Sequence, residues 1–177
     1  MENKVFQRGR LINEEENNRV LSQAAPEFRS EGEAMHIITG ANGQLGRAVV
    51  HHLVERVAPE RVAASVRDPA AAADLEALGV SIRQADFAEP ASLESAFADA
   101  QRVLIVSVNR LGDEALALHR TAIAAAARAG AERVLYTSHM GARLDSPFSP
   151  AAQHAGTERN LEESGVPFTS LRHGFYI

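Results

Sequence analysis

The sequence predicts an α/β domain built on a doubly wound parallel sheet of six strands. Three observations predict it: strand-like runs alternate with helix-like runs, a glycine-rich turn follows the first strand, and one later strand is apolar almost throughout. Strands separated by helices imply right-handed crossovers and therefore parallel pairing. Parallel sheets of this kind are covered on both faces.

The predicted strands are short runs rich in valine, isoleucine and alanine, each bounded by helix-like or turn-like sequence. They are 36–39 (HIIT), 61–66, 80–86, 102–108, 132–138 and 167–172. The run 102–108, RVLIVSV, is nearly continuous in apolar residues, as expected for a strand that is buried on both faces. It is therefore predicted to lie in the interior of the sheet.

The predicted helices lie between these strands. Pro69 favours the first turn of the second helix and Gly79 favours its end, while Gly130 and Gly165 favour the ends of two later helices. The helices are predicted at 44–56, 69–79, 89–100, 113–130 and 152–165. Six strands with these helices between them make a Rossmann-type domain.

Residues 1–34 differ in composition from the rest of the chain. They hold the only lysine, Lys4, and the polar, unpatterned run NEEENN. A segment with few apolar residues cannot bury enough surface to offset its ordering entropy. We predict a disordered or weakly helical extension, with the folded domain beginning at Met35 and covering 35–177; a regulatory or partner-binding tail is the alternative.

Composition excludes several classes of function. The net charge is −5 and arginine is spread along the chain, which is not the footprint of a nucleic-acid-binding protein. The absence of cysteine excludes disulfides, thiolate metal sites and thiol catalysis, and no metal site is predicted. Without a run approaching the ~18 apolar residues of a membrane span, and without a secretory signal, a cytoplasmic protein is predicted.

The turn ITGANGQLG reads Gly-x-x-Gly-x-x-Gly between a strand and a helix. Gly40 allows a tight turn, Gly43 allows backbone to approach a pyrophosphate, and Gly46 allows close packing of the helix. The helix N-terminus offers free N–H groups and partial positive charge. Dinucleotide binding is therefore predicted, a ligand-free tight turn being the alternative, by Gly40, Ala41, Asn42, Gly43, Gln44, Leu45 and Gly46.

The residue after the second strand selects between nicotinamide cofactors. An acidic residue there would bind the ribose 2′-hydroxyl of NAD, but the sequence has Arg67, whose guanidinium suits a 2′-phosphate. NADP(H) is therefore predicted over NAD(H). The alternative is a solvated arginine paired with Asp68.

Two further strand ends contribute candidate residues. Asp86 could accept from the adenine amino group, or could cap the next helix, and Phe87 lies beside it. Ser107, Val108 and Asn109 follow the fourth strand. In open parallel sheets ligands bind outside the carboxyl ends of the strands, so these residues are predicted to line the cofactor site.

These motifs together resemble the short-chain dehydrogenase/reductase superfamily in its atypical, NmrA-like branch, and look most like bacterial NAD(P)H:quinone oxidoreductases of the second type. The resemblance covers residues 35–177 and is carried by ITGANGQLG, VRDP, VSIRQADF, YTS and HAGTERNLEESGVPFTSLRHGFY. It implies that the cofactor site continues past the nicotinamide at Leu171, Arg172, His173, Gly174, Phe175 and Tyr176. Of these, Arg172, His173, Gly174 and Phe175 would lie near the quinone. It also implies a substrate-binding lobe that would follow this segment and is missing here, so weak or no turnover is expected of this chain alone.

The sequence departs from the superfamily in its catalytic residues. Ser138 matches the serine after the fifth strand, but no Tyr-x-x-x-Lys follows, and 35–177 contains no lysine. The ordinary alcohol-dehydrogenase mechanism therefore cannot run. A quinone acceptor does not require this tyrosine and lysine, because the negative charge that develops on it is delocalised. Candidate proton or hydrogen-bond donors to the quinone oxygens are His154, Arg172 and His173. For each histidine, a surface or packing role is the alternative.

The predicted function is hydride transfer from NADPH to a quinone or similar electron-poor carbonyl, with no nucleic-acid or membrane partner. The alternative is a non-catalytic NADP-binding redox sensor of the NmrA type. The sequence leaves open whether the protein forms a homo-oligomer. Two other features are interpreted structurally: Tyr136 as a core residue, and ERNLEESG as a solvated helix face with Arg159 and Glu163 at i,i+4 spacing.

Overall fold

The computed structural model describes residues 4–7, 10–13 and 34–174. The chain divides into two units, Met1–Glu31 and Gly32–Ile177. In the first unit, β1 (Lys4–Gln7) pairs antiparallel with β2 (Arg10–Asn13). These two short strands were not predicted; the disorder or weak helix predicted for residues 1–34 stays a prediction, because most of that segment lies outside the described residues.

The second unit contains the predicted alternation of strands and helices. Its strands are β3 (His36–Thr39), β4 (Val62–Val66), β5 (Ser81–Gln84), β6 (Arg102–Ile105), β7 (Arg133–His139) and β8 (Phe168–His173). Its helices are α1 (Gln44–Leu53), α2 (Ala73–Glu76), α3 (Pro90–Ala96), α4 (Gly112–Arg128) and α5 (Ser149–Ser164), with single 3₁₀ turns at Pro59–Arg61 and Pro69–Ala72.

The six strands form one parallel sheet in the order β5-β4-β3-β6-β7-β8. This order confirms the doubly wound, Rossmann-type fold that the sequence predicts. The chain runs from β3 outward to β5 and then returns to β6 beside β3. That reversal creates a crevice at the carboxyl ends of β3 and β6, where ligands bind in folds of this kind.

Successive residues of β3 bury their side chains in two different cores, because side chains alternate between the faces of a strand. Ile37 belongs to a core with Phe97 of the α3 side and Leu161 of α5. Ile38 belongs to a core with Val50 of α1. The sheet is thus covered on both faces, and its carboxyl edge is left to the loops.

Several elements are shorter than predicted; α3, for example, covers Pro90–Ala96 rather than 89–100. β6 ends at Ile105 rather than at residue 108, because the N–H groups that follow bond to side chains instead of to neighbouring strands. The second predicted helix, 69–79, is a 3₁₀ turn followed by the short α2, although Gly79 ends it with φ +85° as expected. Within the described residues, no helix is both long and apolar enough to cross a bilayer.

Candidate dinucleotide site and its polar edge

The glycine-rich turn joins β3 to α1 with the geometry that its sequence predicts. Gly40 has φ +63°, a conformation that favours glycine. A Cβ at Gly46 would lie 2.5 Å from the carbonyl oxygen of Gly40 and 2.9 Å from the Cα of Ala41, so only glycine fits there. The N–H of Gly43 donates to the Gly40 carbonyl at 2.9 Å and closes the turn.

The N-terminus of α1 is open to an anion. Gly43 is its N-cap and makes no side-chain cap, and the first turn contains no acidic residue. The N–H groups of Gln44, Leu45 and Gly46 precede the first residue that can find an acceptor within the helix. Unsatisfied N–H groups with the partial positive charge of the helix end form a site for a phosphate.

A cavity of about 660 Å³ opens in front of this turn. It is lined by the residues that follow four neighbouring strands and by the first turns of α4. The lining comprises Gly40, Asn42, Gly43, Ser65, Val66, Arg67, Asp68, Ala85, Asp86, Phe87, Ala88, Val106, Ser107, Val108, Asn109, Arg110, Glu114 and Leu118. The residues predicted from four separate strand ends therefore meet around one space.

Arg67 is an exposed residue on the wall of this cavity. Within residues 34–174 its side chain takes part in no ion pair, and the predicted alternative, a pair with Asp68, is not formed. The carboxylate of Asp68 instead accepts from the N–H of Ala70 at 3.0 Å, capping the 3₁₀ turn. The Arg67 guanidinium is therefore left to face whatever enters the cavity.

Asp86 and Phe87 lie on the same wall. One carboxylate oxygen of Asp86 accepts from the N–H of Ala88 at 2.9 Å, in the turn before α3, whose own N-cap is Glu89. Asp86 thus caps the turn rather than the helix itself, while its side chain still lines the cavity. Phe87 packs against the core from the cavity side.

The carboxyl ends of β7 and β8, together with α5, carry a second, separate group of polar side chains. We call this group the polar edge: Ser138, His139, His154, Glu158, Arg172 and His173. β7 and β8 place Ser138 beside Arg172 and His139 beside His173 in register. None of these residues lines the cavity described above.

Glu158 of α5 is the centre of the polar edge. Its buried carboxylate accepts from the Ser138 hydroxyl at 2.7 Å and from two nitrogens of Arg172, at 2.9 Å from Nε and 2.5 Å from Nη2. Burial raises the pKa of Glu158, but the hydrogen bonds from Arg172 and then Ser138 outweigh it and the pKa is lowered. The pKa of Arg172 is raised by the same hydrogen bonds. The pair is a bidentate, fixed unit of opposite charges.

His154 lies next to Glu158 on the same face of α5. Its Nδ1 is 2.7 Å from the hydroxyl of Tyr136, and its ring stacks on that of His139 at a centroid distance of 6.1 Å. Burial, and then the charge of His139, lower the pKa of His154, so the imidazole is neutral near pH 7. Tyr136 is fully buried, which confirms its interpretation as a core residue, and burial raises its pKa.

The other predicted residues lie away from the cavity. Ala41 and Gly46 are buried within the turn, whereas Gln44 and Leu45 are exposed at the start of α1. Ser138 is buried and engaged with Glu158, and Leu171 packs partly against the core. Gly174 follows β8 on the exposed side. Phe175 and Tyr176 fall outside the described residues.

Sequence reasoning missed Glu158, which the run ERNLEESG was taken to place on a solvated face. Arg159 and Glu163 of that run are exposed and paired as predicted, with Nε and Oε1 3.1 Å apart. Glu158 is 8% exposed because it faces β8, and the interpretation as a wholly solvated face is wrong at this position. His119 of α4 was also missed, although its place among buried alanines on one stripe of the helix was a visible signal.

The fold and the turn define a Rossmann-type dinucleotide-binding domain. A family described as NAD(P)H-binding matches residues 40–177. Among curated proteins, quinone oxidoreductase 2 of Escherichia coli is 41% identical over 142 residues, and an NmrA-like family domain-containing oxidoreductase of Aspergillus flavus is 33% identical over 147 residues; each alignment covers 80% of this chain. The chain belongs to the NAD(P)H-binding family, in its NmrA-like branch.

Solved structures of NAD(P)H-dependent reductases superpose on this chain. An NADPH-dependent quinone oxidoreductase of Escherichia coli, complexed with NADPH, superposes with a TM-score of 0.75 at 40% identity, covering 80% of this chain and 50% of that one. A triphenylmethane reductase of Citrobacter sp., complexed with NADP(H), does so at 31% identity and the same TM-score. The chain spans about half the length of these relatives, 49% and 48% of the two curated proteins.

Proposed function

We propose that this chain is the dinucleotide-binding part of an oxidoreductase that uses NADPH to reduce a quinone or a similarly electron-poor acceptor. The observation that carries the proposal is the cavity between the open N-terminus of α1 and Arg67, whose guanidinium makes no ion pair within residues 34–174. These are the two positive features that NADPH would require, one for its pyrophosphate and one for its 2′-phosphate.

The residues present fit a dinucleotide. Gly40 and Gly46 keep side chains out of the turn, so a pyrophosphate could approach the N–H groups of α1. On the far wall, Asp86 and Phe87 offer a carboxylate and an aromatic ring to the adenine. Ser107 and Asn109 form the part of the cavity wall that would contact the nicotinamide half of the cofactor.

The polar edge would serve the acceptor. When bound, the reduced cofactor supplies a hydride; the chain has to orient the two reactants and stabilise the charge that develops on the acceptor oxygens. Arg172 suits the second role because Glu158 fixes its guanidinium while half of the side chain stays exposed. His154, held by Tyr136, is the candidate that could hydrogen-bond the reduced oxygen as a neutral imidazole, and water would then supply the proton.

A quinone acceptor is compatible with the absence of the Tyr-x-x-x-Lys motif from this sequence. A conjugated acceptor delocalises the incoming negative charge, so it does not require the tyrosine and lysine that protonate a simple alkoxide. Apolar side chains lie exposed in the loop after β7, at Met140, Leu144 and Phe148, where a flat apolar ring would find contact. The relative named quinone oxidoreductase 2 supports a reductase of this class.

Titration with NADPH and NADH, followed by nicotinamide fluorescence and then by consumption of NADPH with a series of benzo- and naphthoquinones, tests the proposal. We expect tighter binding of NADPH than of NADH, and only weak quinone-dependent consumption of NADPH, because this chain spans about half the length of its relatives. Equal affinity for NADP⁺ and NADPH without turnover of any quinone would replace the reductase with the NmrA-type sensor. Failure to bind either cofactor would contradict both.

A further inference from the structure

Two threonines hold the chain where it leaves the sheet after β6. The N–H of Val106 donates to the hydroxyl of Thr39 at 2.9 Å, and the N–H of Ser107 donates to the hydroxyl of Thr137 at 2.8 Å. The threonines come from β3 and β7, the strands on either side of β6. Side-chain oxygens thus take the place of the strand carbonyls that the ladder no longer supplies.

A histidine continues this pattern one residue further on. The N–H of Val108 donates to Nε2 of His119 at 3.0 Å. Because Nε2 accepts, the proton of the neutral ring is on Nδ1, which donates to the hydroxyl of Thr157 at 3.0 Å. The Thr157 hydroxyl in turn donates to the carbonyl of Gln153 at 3.2 Å. The order of donors and acceptors therefore fixes one tautomer of His119.

His119 is fully buried in α4, and its ring meets that of Tyr136 edge to face at 5.3 Å. Burial, together with the charge of His154, lowers the pKa of His119 to about 4, so the ring is a neutral acceptor near pH 7. The N–H of Val108 is partly buried, so the loss of its acceptor is unfavourable, and an unconstrained Val108 would shift to find another partner. Any such shift moves the cavity wall, because Val106, Ser107 and Val108 all line it.

We propose that His119 is a positioning residue for the dinucleotide: it does not touch the ligand but holds the Val108 backbone, and with it the wall between Val106 and Asn109, at the distance that binding requires. The inference rests on the proposed function. It assigns to a buried helix residue a role in affinity for the cofactor.

The test compares His119→Phe, which keeps a ring but cannot accept, with His119→Gln, which keeps an acceptor and a donor. We expect His119→Phe to raise the Kd for NADPH about tenfold and to speed hydrogen exchange of the Val108 amide about tenfold. We expect His119→Gln to keep both the Kd for NADPH and the exchange rate of the Val108 amide close to their wild-type values. Leu161→Ala, a core variant of α5 that leaves the cavity lining intact, controls for loss of stability alone.

If His119→Phe does not fold, Thr157→Val tests the same point, because it removes the partner that fixes the tautomer and leaves the ring in place. An unchanged Kd for NADPH in every folded His119 and Thr157 variant, or an increase in Kd in Leu161→Ala equal to that in His119→Phe, would overturn the inference. Unchanged Val108 exchange would overturn it too, and this measurement needs no cofactor. A wild-type chain that binds no NADPH instead contradicts the proposed function.

Discussion

Glu158 of α5 and Arg172 of β8 form a bidentate ion pair in which the carboxylate is buried and the guanidinium is half exposed. The Ser138 hydroxyl adds a third hydrogen bond to the carboxylate. The pair therefore joins a helix to the edge strand of the sheet and fixes a positive charge at the carboxyl edge. Because the Glu158 carboxylate is buried, a substitution that removes it should lower both the stability and the activity of the protein.

Glu158→Gln is expected to lower the free energy of unfolding by about 1–3 kcal/mol, less than for a fully buried pair, because water can still solvate half of the Arg172 side chain. Urea denaturation measures this change. Glu163→Gln on the same helix is the matched control. It removes a carboxylate whose pair with Arg159 is exposed, so it should change stability by less than about 0.5 kcal/mol. Equal effects would contradict the structural role of Glu158.

Gly46→Ala should disrupt the turn, because the added Cβ would lie 2.5 Å from a backbone oxygen that cannot move aside easily. We expect a loss of about 1–3 kcal/mol in stability and a large loss of NADPH binding. Gly156→Ala in α5 is the contrast. Its Cβ would meet only the movable end of the Leu116 side chain, and alanine favours the helix, so stability should stay level or rise by up to about 1 kcal/mol.

Arg67→Gln is expected to raise the Kd for NADPH about 10- to 100-fold, since it removes a charge-assisted contact to the 2′-phosphate, while the Kd for NADH changes little. Fluorescence titration of both cofactors measures the ratio. Arg110→Gln is the control, because Arg110 lines the same cavity but is paired with Glu114 at 3.1 Å. A parallel loss of affinity for NADPH and NADH in Arg67→Gln would show that this residue does not read the phosphate.

Stability is expected to fall with acid because of His119. Its pKa in the folded chain is about 4 against 6.5 when unfolded, so between these values the unfolded chain binds more protons. Stability is therefore full above pH 6.5 and lost as pH falls towards 4. His154, which faces the same region beside Tyr136, has the same direction of shift.

From about pH 7 to about pH 5, His119 should account for a loss of about 2 kcal/mol. Urea denaturation at both pH values, on the wild type and on His119→Gln, measures its share. Between these two pH values, His119→Gln should lose less stability than the wild type, and the difference should be about 2 kcal/mol. An identical pH dependence in the two proteins would mean that His119 titrates normally in the folded chain.

The sequence predicted those parts of the fold that depend on local signals. The turn at Gly40 and Gly46 needs specific residues at fixed spacing, and the helix ends at Gly79 and Gly165 carry the positive φ that glycine favours. Such features are readable because their physical cause lies within a few residues.

Glu158, the centre of the polar edge, could not be predicted in the same way. The buried stripe of α5 passes through Gln153, Thr157 and Glu158, which are polar, so no apolar periodicity marks it. Their partners lie on other elements: Glu158 depends on Arg172, 14 residues later, and Thr157 on His119, 38 residues earlier. Burial of a polar residue is decided by a partner, and the partner is known only once the chain is folded.

The central claim is that this domain binds NADPH between α1 and Arg67. The measurement that tests it most directly is the Kd of the wild-type chain for NADPH and for NADH under the same conditions, with Arg67→Gln alongside. We expect tighter binding of NADPH than of NADH by the wild type, and loss of that preference in the variant. Tighter binding of NADH by the wild type, or a preference for NADPH that Arg67→Gln leaves unchanged, would contradict it.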